Sequence, residues 1–165
     1  MIQALVRAFT DAIMVWLILC AGVVIVYRPV ARRMGWHAWA TLGMGVALAG
    51  MLALTLTPGG DTNVGCRMTL PHTLGLLQLP RVTHMSLNTL MPMPLGFFGT
   101  LAVRRPWICA TVMIALPVAI EATQALVTAL GRSCSLQDML NNIVGGLVGV
   151  LVGMAVRHLF ARRTV

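Results

Sequence analysis

"DMLNNIVGGLVGVLVGMAVRHL", residues 138–159, opens on a carboxylate and two amides and then runs apolar almost to its end. As an α-helix rising 1.5 Å per residue it is about 33 Å long. That is enough to cross the ~30 Å hydrocarbon core of a bilayer. Asp138 stands at the helix start, where a negative charge meets the positive end of the helix dipole. Gly145, Gly149 and Gly153 recur every four residues and so share one face. A stripe of small residues lets another helix approach closely. Packing within the same chain is the first reading of that stripe, and association with a second copy through it is the alternative.

The rest of the chain follows the same pattern. Of its 165 residues, 58% are hydrophobic and only 10% charged, and the mean hydropathy is +0.87. A soluble domain is about half apolar and roughly a quarter charged. The composition therefore predicts one all-α domain over 1–165, a polytopic transmembrane helix bundle. Spans are expected over residues 10–27, 37–57, 88–103, 107–130 and 138–159, about five in all. The first carries no small-residue cleavage site and reads as an uncleaved span. Pro29 is expected to stop it, having no amide donor. The third, "NTLMPMPLGFFGTLAV", holds Pro92, Pro94, Gly96 and Gly99 and is expected to be broken or tilted. The loop over 59–87 holds "LGLLQL" (74–79), too short to span and suited to the interface.

All 12 basic residues are arginine. A net charge of +8 in a soluble protein would suggest nucleic acid, but here the arginines flank apolar runs and no polar domain exists to bind it. Alternate connections carry Arg28, Arg32, Arg33, Arg104, Arg105, Arg157, Arg162 and Arg163; the others carry Arg7, Arg67, Arg81 and Arg132. Arginine-rich connections stay cytoplasmic. The N-terminus is then outside and the C-terminus inside, and 59–87 and 131–137 are extracytoplasmic. Arginine without lysine, beside abundant Ala, Gly and Val, points to a GC-rich bacterial coding sequence, hence to a multi-pass protein of the bacterial plasma membrane.

One apolar run breaks the pattern. "ALPVAIEATQAL", 115–126, holds Pro117, Glu121 and Gln124. Counted back from Gly131, Glu121 is about 15 Å deep, near mid-membrane. Gln124 is three residues on and shares its face. Pro117 is expected to kink the helix and free a carbonyl one turn away. An ionisable group at such depth faces the bundle interior or a wet cavity, and seeks a partner. Asn88, Arg132, Asp138 and Asn142 all fall toward the outer side. With Glu121 and Gln124 they are expected to line one polar cavity that opens outward. The bland alternative is a buried hydrogen-bonded plug between helices.

These same residues carry a resemblance. "NTLMPMPLGFF", "IEATQ" and "GRSCSLQDMLNNIVGG", in that order, resemble the VanZ-like family of small bacterial membrane proteins. The matching positions are Asn88, Pro94, Leu95, Gly96, Glu121, Gln124, Arg132, Asp138 and Asn142, and "LTLTP" at the end of span two also fits. The likeness covers about 40–155. Ser135 departs from it, standing where the family has an aspartate. The resemblance implies a link to resistance against the lipoglycopeptide teicoplanin, without naming a reaction.

Three functions are open at this point. The first is a binding protein whose cavity takes a lipid-linked envelope precursor or a lipoglycopeptide, with Arg132 on an anionic group. The second is an enzyme using Glu121 or Asp138 as general base on a lipid-linked substrate. The third is a proton-coupled transporter. No arrangement of serine, cysteine and histidine supports catalysis, so a non-enzymatic role is preferred. Membrane lipids are the expected surroundings, and no cofactor is expected. Cysteines at 20, 66, 109 and 134 have no metal-ligand spacing, and His72 and His84 lack further ligands. Cys66 and Cys134 share the extracytoplasmic side, where a disulfide is permitted.

Overall fold

The structure is a computed structural model that describes residues 2–59, 65–69, 84–103 and 105–162. The 74–79 segment, His72, Arg81, Arg104 and Arg163 lie outside the described residues. The described helices are α1 (Ile2–Met34), α2 (Ala38–Leu56), α3 (His84–Leu90), α4 (Met93–Ala102), α5 (Pro106–Leu126) and α6 (Leu136–Arg162). Thr10–Met34, Ala38–Leu56, Pro106–Leu126 and Leu136–Phe160 are each long and apolar enough to cross a membrane. Large apolar side chains such as Ile18, Ile25, Leu151 and Phe160 point outward, as a lipid-embedded bundle requires. The protein is an all-α membrane bundle.

Helix α1 runs on past the proline expected to end it. Pro29 lies inside, and the helix stops at Gly35, whose φ is 66°. There the Trp36 N–H donates to the Ala31 carbonyl (2.8 Å) and the Gly35 N–H to the Arg32 carbonyl (3.4 Å). This is the crossed pair of bonds that a left-handed glycine makes possible at a helix end. One missing donor near the end of a long helix does not outweigh that stop signal. Arg32 and Arg33 therefore sit in the last turn of α1.

The third span is broken, and the sequence shows why. Pro92 and Pro94 have no amide hydrogen, so the carbonyls of Asn88 and Leu90 lose their helical donors. Helix α3 ends at Leu90 and α4 begins at Met93, giving pieces roughly 10 and 15 Å long. The pair nevertheless runs beside α6 in the same direction. Thr89 lies at the level of Gly145, Met93 at Gly149, and Phe97 and Thr100 at Gly153. At the far end Arg157 Nη1 donates to the Thr100 and Val103 carbonyls at 3.2 and 3.3 Å. The chain thus travels the length of the bundle in two steps.

The glycine stripe of α6 is what admits this pair. A methyl group on Gly145 would meet the Thr89 carbonyl, and one on Gly149 the Met93 carbonyl. On the same face, one on Gly153 would come 3.0 Å from the Phe97 carbonyl. Backbone carbonyls lie closest to Gly145 and Gly149, and the Thr100 side chain with the Phe97 carbonyl lies against Gly153, so the stripe is occupied within the chain. The face suggested for a second copy is taken by α3 and α4. Met51, Leu95, Cys109, Met113, Ile120 and Val150 form the core between α2, α4, α5 and α6. Helix α1 packs on α2 at the periphery.

Alternating helix direction gathers Arg28, Arg32, Arg33, Arg105, Arg157 and Arg162 at one end of the bundle. Arg67 and Arg132 are at the other end. There Cys66 and Cys134 form a disulfide with a Cα–Cα distance of 4.6 Å. Backbone bonds from Arg67 N–H to the Cys134 carbonyl and from Leu136 N–H to the Arg67 carbonyl, both 3.0 Å, flank it.

Two outcomes follow from this packing. Gly149→Ala forces a methyl group against the Met93 carbonyl, and overpacking of this kind costs about 1–3 kcal/mol. Its thermal midpoint in detergent falls by several degrees. Gly22→Ala, with nothing within 4 Å, leaves the midpoint unchanged or raised, since alanine is the better helix former. For the disulfide, unfolded and unreduced protein exposes two reactive thiols, Cys20 and Cys109, and reduction raises the count to four; four thiols before reduction contradict the bond.

Candidate functional site

The cavity sits where α2 and α5 end and α3 and α6 begin. It has a volume of about 580 Å³. All six residues singled out from the sequence line it: Asn88, Glu121, Gln124, Arg132, Asp138 and Asn142. Leu54, Thr55, Leu87, Leu90, Met91, Pro94 and Ser133 complete the wall. The six therefore meet from α3, α5, the α5–α6 turn and α6.

Helix α5 ends earlier than the sequence suggested. It stops at Leu126, and Thr128–Leu130 makes a short 3-10 turn closed by Gly131 at φ 55°. The turn is tied across to the end of α2: Gly59 N–H donates to the Leu130 carbonyl at 2.9 Å. Glu121 is thus five residues from its helix end, or about 7.5 Å along the axis. It is near the end of the bundle where α5 stops, not at mid-depth. Pro117 lies within α5 and is fully buried.

Each polar side chain has a definite anchor. Glu121 Oε2 accepts the Ser135 backbone N–H at 2.7 Å. Its other oxygen has no partner among the described residues. Gln124 is buried, and its Nε2 donates to the Thr55 carbonyl at 2.8 Å. That bond joins α5 to the last turn of α2. Arg132 Nε donates to the Thr57 carbonyl at 2.9 Å, where α2 has run out of helical donors.

Arg132 and Asn142 are left incomplete. The guanidinium of Arg132 is half-buried, with no carboxylate paired to it among the described residues. Burial alone holds its pKa below the usual arginine value. Arg132 lines the cavity; one of its nitrogens is used, and the other two have no partner among the described residues. Asn142 is 3% exposed, and its Oδ1 has no hydrogen-bond partner among the described residues. An unmet buried polar atom costs about 1–3 kcal/mol, so this position calls for water or a ligand group. Asn88 and Leu90, whose carbonyls are deprived of helical donors by the prolines, line the same cavity.

Ser135 has a structural role that its departure from the family pattern concealed. Its carbonyl accepts the Met139 N–H at 3.0 Å and its Oγ the Asp138 N–H at 3.4 Å. It is the N-cap of α6, a position that serine and aspartate fill about equally well. Where the resemblance leads one to expect an aspartate, serine supplies the same cap without a charge. The Ser-x-x-Asp spacing before an apolar run was the available signal. Thr55 and Thr57, which receive the Gln124 and Arg132 bonds, act through backbone carbonyls that no side-chain pattern announces. Asn141, fully buried and bonded through Oδ1 to Gln137 Nε2 at 3.3 Å, was also missed.

Among the described residues no three His, Cys, Asp or Glu side chains cluster as a metal would need. The cavity offers one cation, two carboxylates and amides, with apolar walls. Such a set can hold an anionic group on Arg132 while acids and amides accept from hydroxyl or amide donors.

No curated protein and no solved structure matches the chain. The family model described as VanZ/LLP1 matches residues 13–157, which include all six cavity side chains. The match spans most of the bundle, including the broken third span and the polar end of this chain, and the chain belongs to the VanZ/LLP1 family.

Proposed function

We propose that the cavity binds the polar head of a lipid-linked envelope molecule or lipoglycopeptide at the outer face of a bacterial plasma membrane. The observation that carries this reading is the unfinished pair of Arg132 and Asn142 in one cavity. Arg132 contributes a planar fork suited to phosphate or carboxylate. Asn142, Asn88 and the free oxygen of Glu121 meet the hydroxyls and amides of the head. Asp138 places a second acceptor at the α6 N-terminus.

The outward orientation draws support from two independent cues. The arginine-rich end matches the cytoplasmic side, and the disulfide joins segments at the opposite end, as an oxidising compartment favours. A cavity of this kind suits sequestration of a lipidated antibiotic such as teicoplanin, or the holding of an envelope precursor. An enzymatic reading has one observation in its favour: Ser133 lines the cavity with two carboxylates. Among the described residues no histidine lines it, and on those residues proton transfer would fall to the carboxylates.

The test is native mass spectrometry of the purified protein for a retained lipid or lipoglycopeptide. Arg132→Lys keeps the charge but loses the fork, and retention falls by about tenfold to about a hundredfold, as expected for a lost charge-assisted contact of roughly 1.5–3 kcal/mol. Glu121→Gln keeps the shape and lowers retention less. Equal retention by Arg132→Lys and the parent protein contradicts the reading. Chemically altered ligand, found with the parent and absent with Glu121→Gln, supports the enzyme instead.

A further inference from the structure

The polar cavity has an apolar neighbour. A groove of about 870 Å³ lies between α1, α2 and α4, and Leu54, Met91 and Pro94 form part of both walls. The two spaces therefore adjoin at the broken third span. Its floor is a stripe along α2, with Leu42, Val46, Ala47 and Gly50 at helical spacing. At Gly50 a methyl group would come no closer than 3.5 Å to Trp16 Nε1, so the groove has room there. At the far end Trp39 and Phe98 meet edge to face, with ring centroids 6.4 Å apart. From Leu54 to Trp39 the floor is about 22 Å long at 1.5 Å per residue.

We propose that this groove receives the hydrocarbon chain of the same amphiphile whose head occupies the polar cavity. The proposal rests on the head-group reading above. Continuity is the reason for committing to this occupant: a chain leaving the cavity past Met91 and Pro94 enters the groove directly. The length agrees, since about 22 Å exceeds the ~15 Å of one leaflet and accommodates a long single chain. Lipid tails are as apolar as the groove, so burial here adds little net affinity. The groove instead selects and orients a chain whose head is already held by Arg132. That division of labour makes occupancy of the groove depend on the cavity.

Photolabelling in vesicles reads this dependence. The membrane is phosphatidylcholine with a small fraction of phosphatidic acid bearing a diazirine at the end of one long acyl chain. On the unaltered protein, terminal labelling is expected at Trp39, Leu42 and Phe98, several-fold above Ile18 and Ile25 on the outward face of α1. Phosphatidylcholine carrying the same chain shows no such excess, and Arg132→Gln removes it for phosphatidic acid. Ala47→Phe and Gly50→Leu, each filling the groove, remove it too. Even labelling of groove and outward residues on the unaltered protein overturns the proposal. If a diazirine on the head still labels beside Asn88 in an Arg132-dependent way in that case, the head-group reading survives alone. Strong groove labelling that ignores both head type and Arg132 overturns the proposal and the head-group reading together.

Discussion

The close seating of α3 and α4 on the glycine face of α6 sets where Asn88 stands against Asp138 and Asn142 in the cavity. In lipid there is no hydrophobic force between helices, so packing and polar contacts must hold the bundle. Gly145 and Gly149 allow the Thr89 and Met93 carbonyls to lie directly on α6. That contact fixes the level of Asn88 relative to Asp138 and Asn142, one turn apart on the facing helix. Larger residues on the stripe would move the broken span away and open the cavity sideways. The glycines thus act on the site without touching it.

A second constraint is satisfaction of backbone groups at the polar end. Thr55 and Thr57 end α2 with carbonyls that no helical donor reaches, and Gln124 and Arg132 supply the donors. Glu121 does the converse, accepting the Ser135 N–H at the start of α6. Each of these side chains belongs partly to the architecture, as the plug reading of the sequence would have it. What remains after those bonds is the unused part of the Arg132 fork, one oxygen of Glu121 and the buried oxygen of Asn142. The ligand argument rests on that remainder alone.

Much of this was legible in the sequence. Apolar runs of membrane length stand out by composition, and the paired prolines at 92 and 94 announced a break. Polar residues within such runs are rare enough that Glu121, Gln124 and Asn142 identified themselves. Less was legible where competing local signals meet. Pro29 argued for a helix end, yet Gly35, with its left-handed backbone, decided it. Glu121 looked deep because the 127–130 segment reads as helix, whereas bonds to the end of α2 draw it into a turn. Ser135 resembled a lost acid and turned out to be a cap. The partners of Gln124 and Arg132 are main-chain oxygens, which carry no residue-type signature.

The central claim is that separate helices bring these polar groups into a hydrated cavity open to the outside. Asn88→Cys, in a background with Cys20 and Cys109 replaced by serine, tests it most directly. A membrane-impermeant maleimide added to intact cells is predicted to label position 88 without permeabilisation. Labelling only after the membrane is opened, or only after the protein is unfolded, contradicts the account.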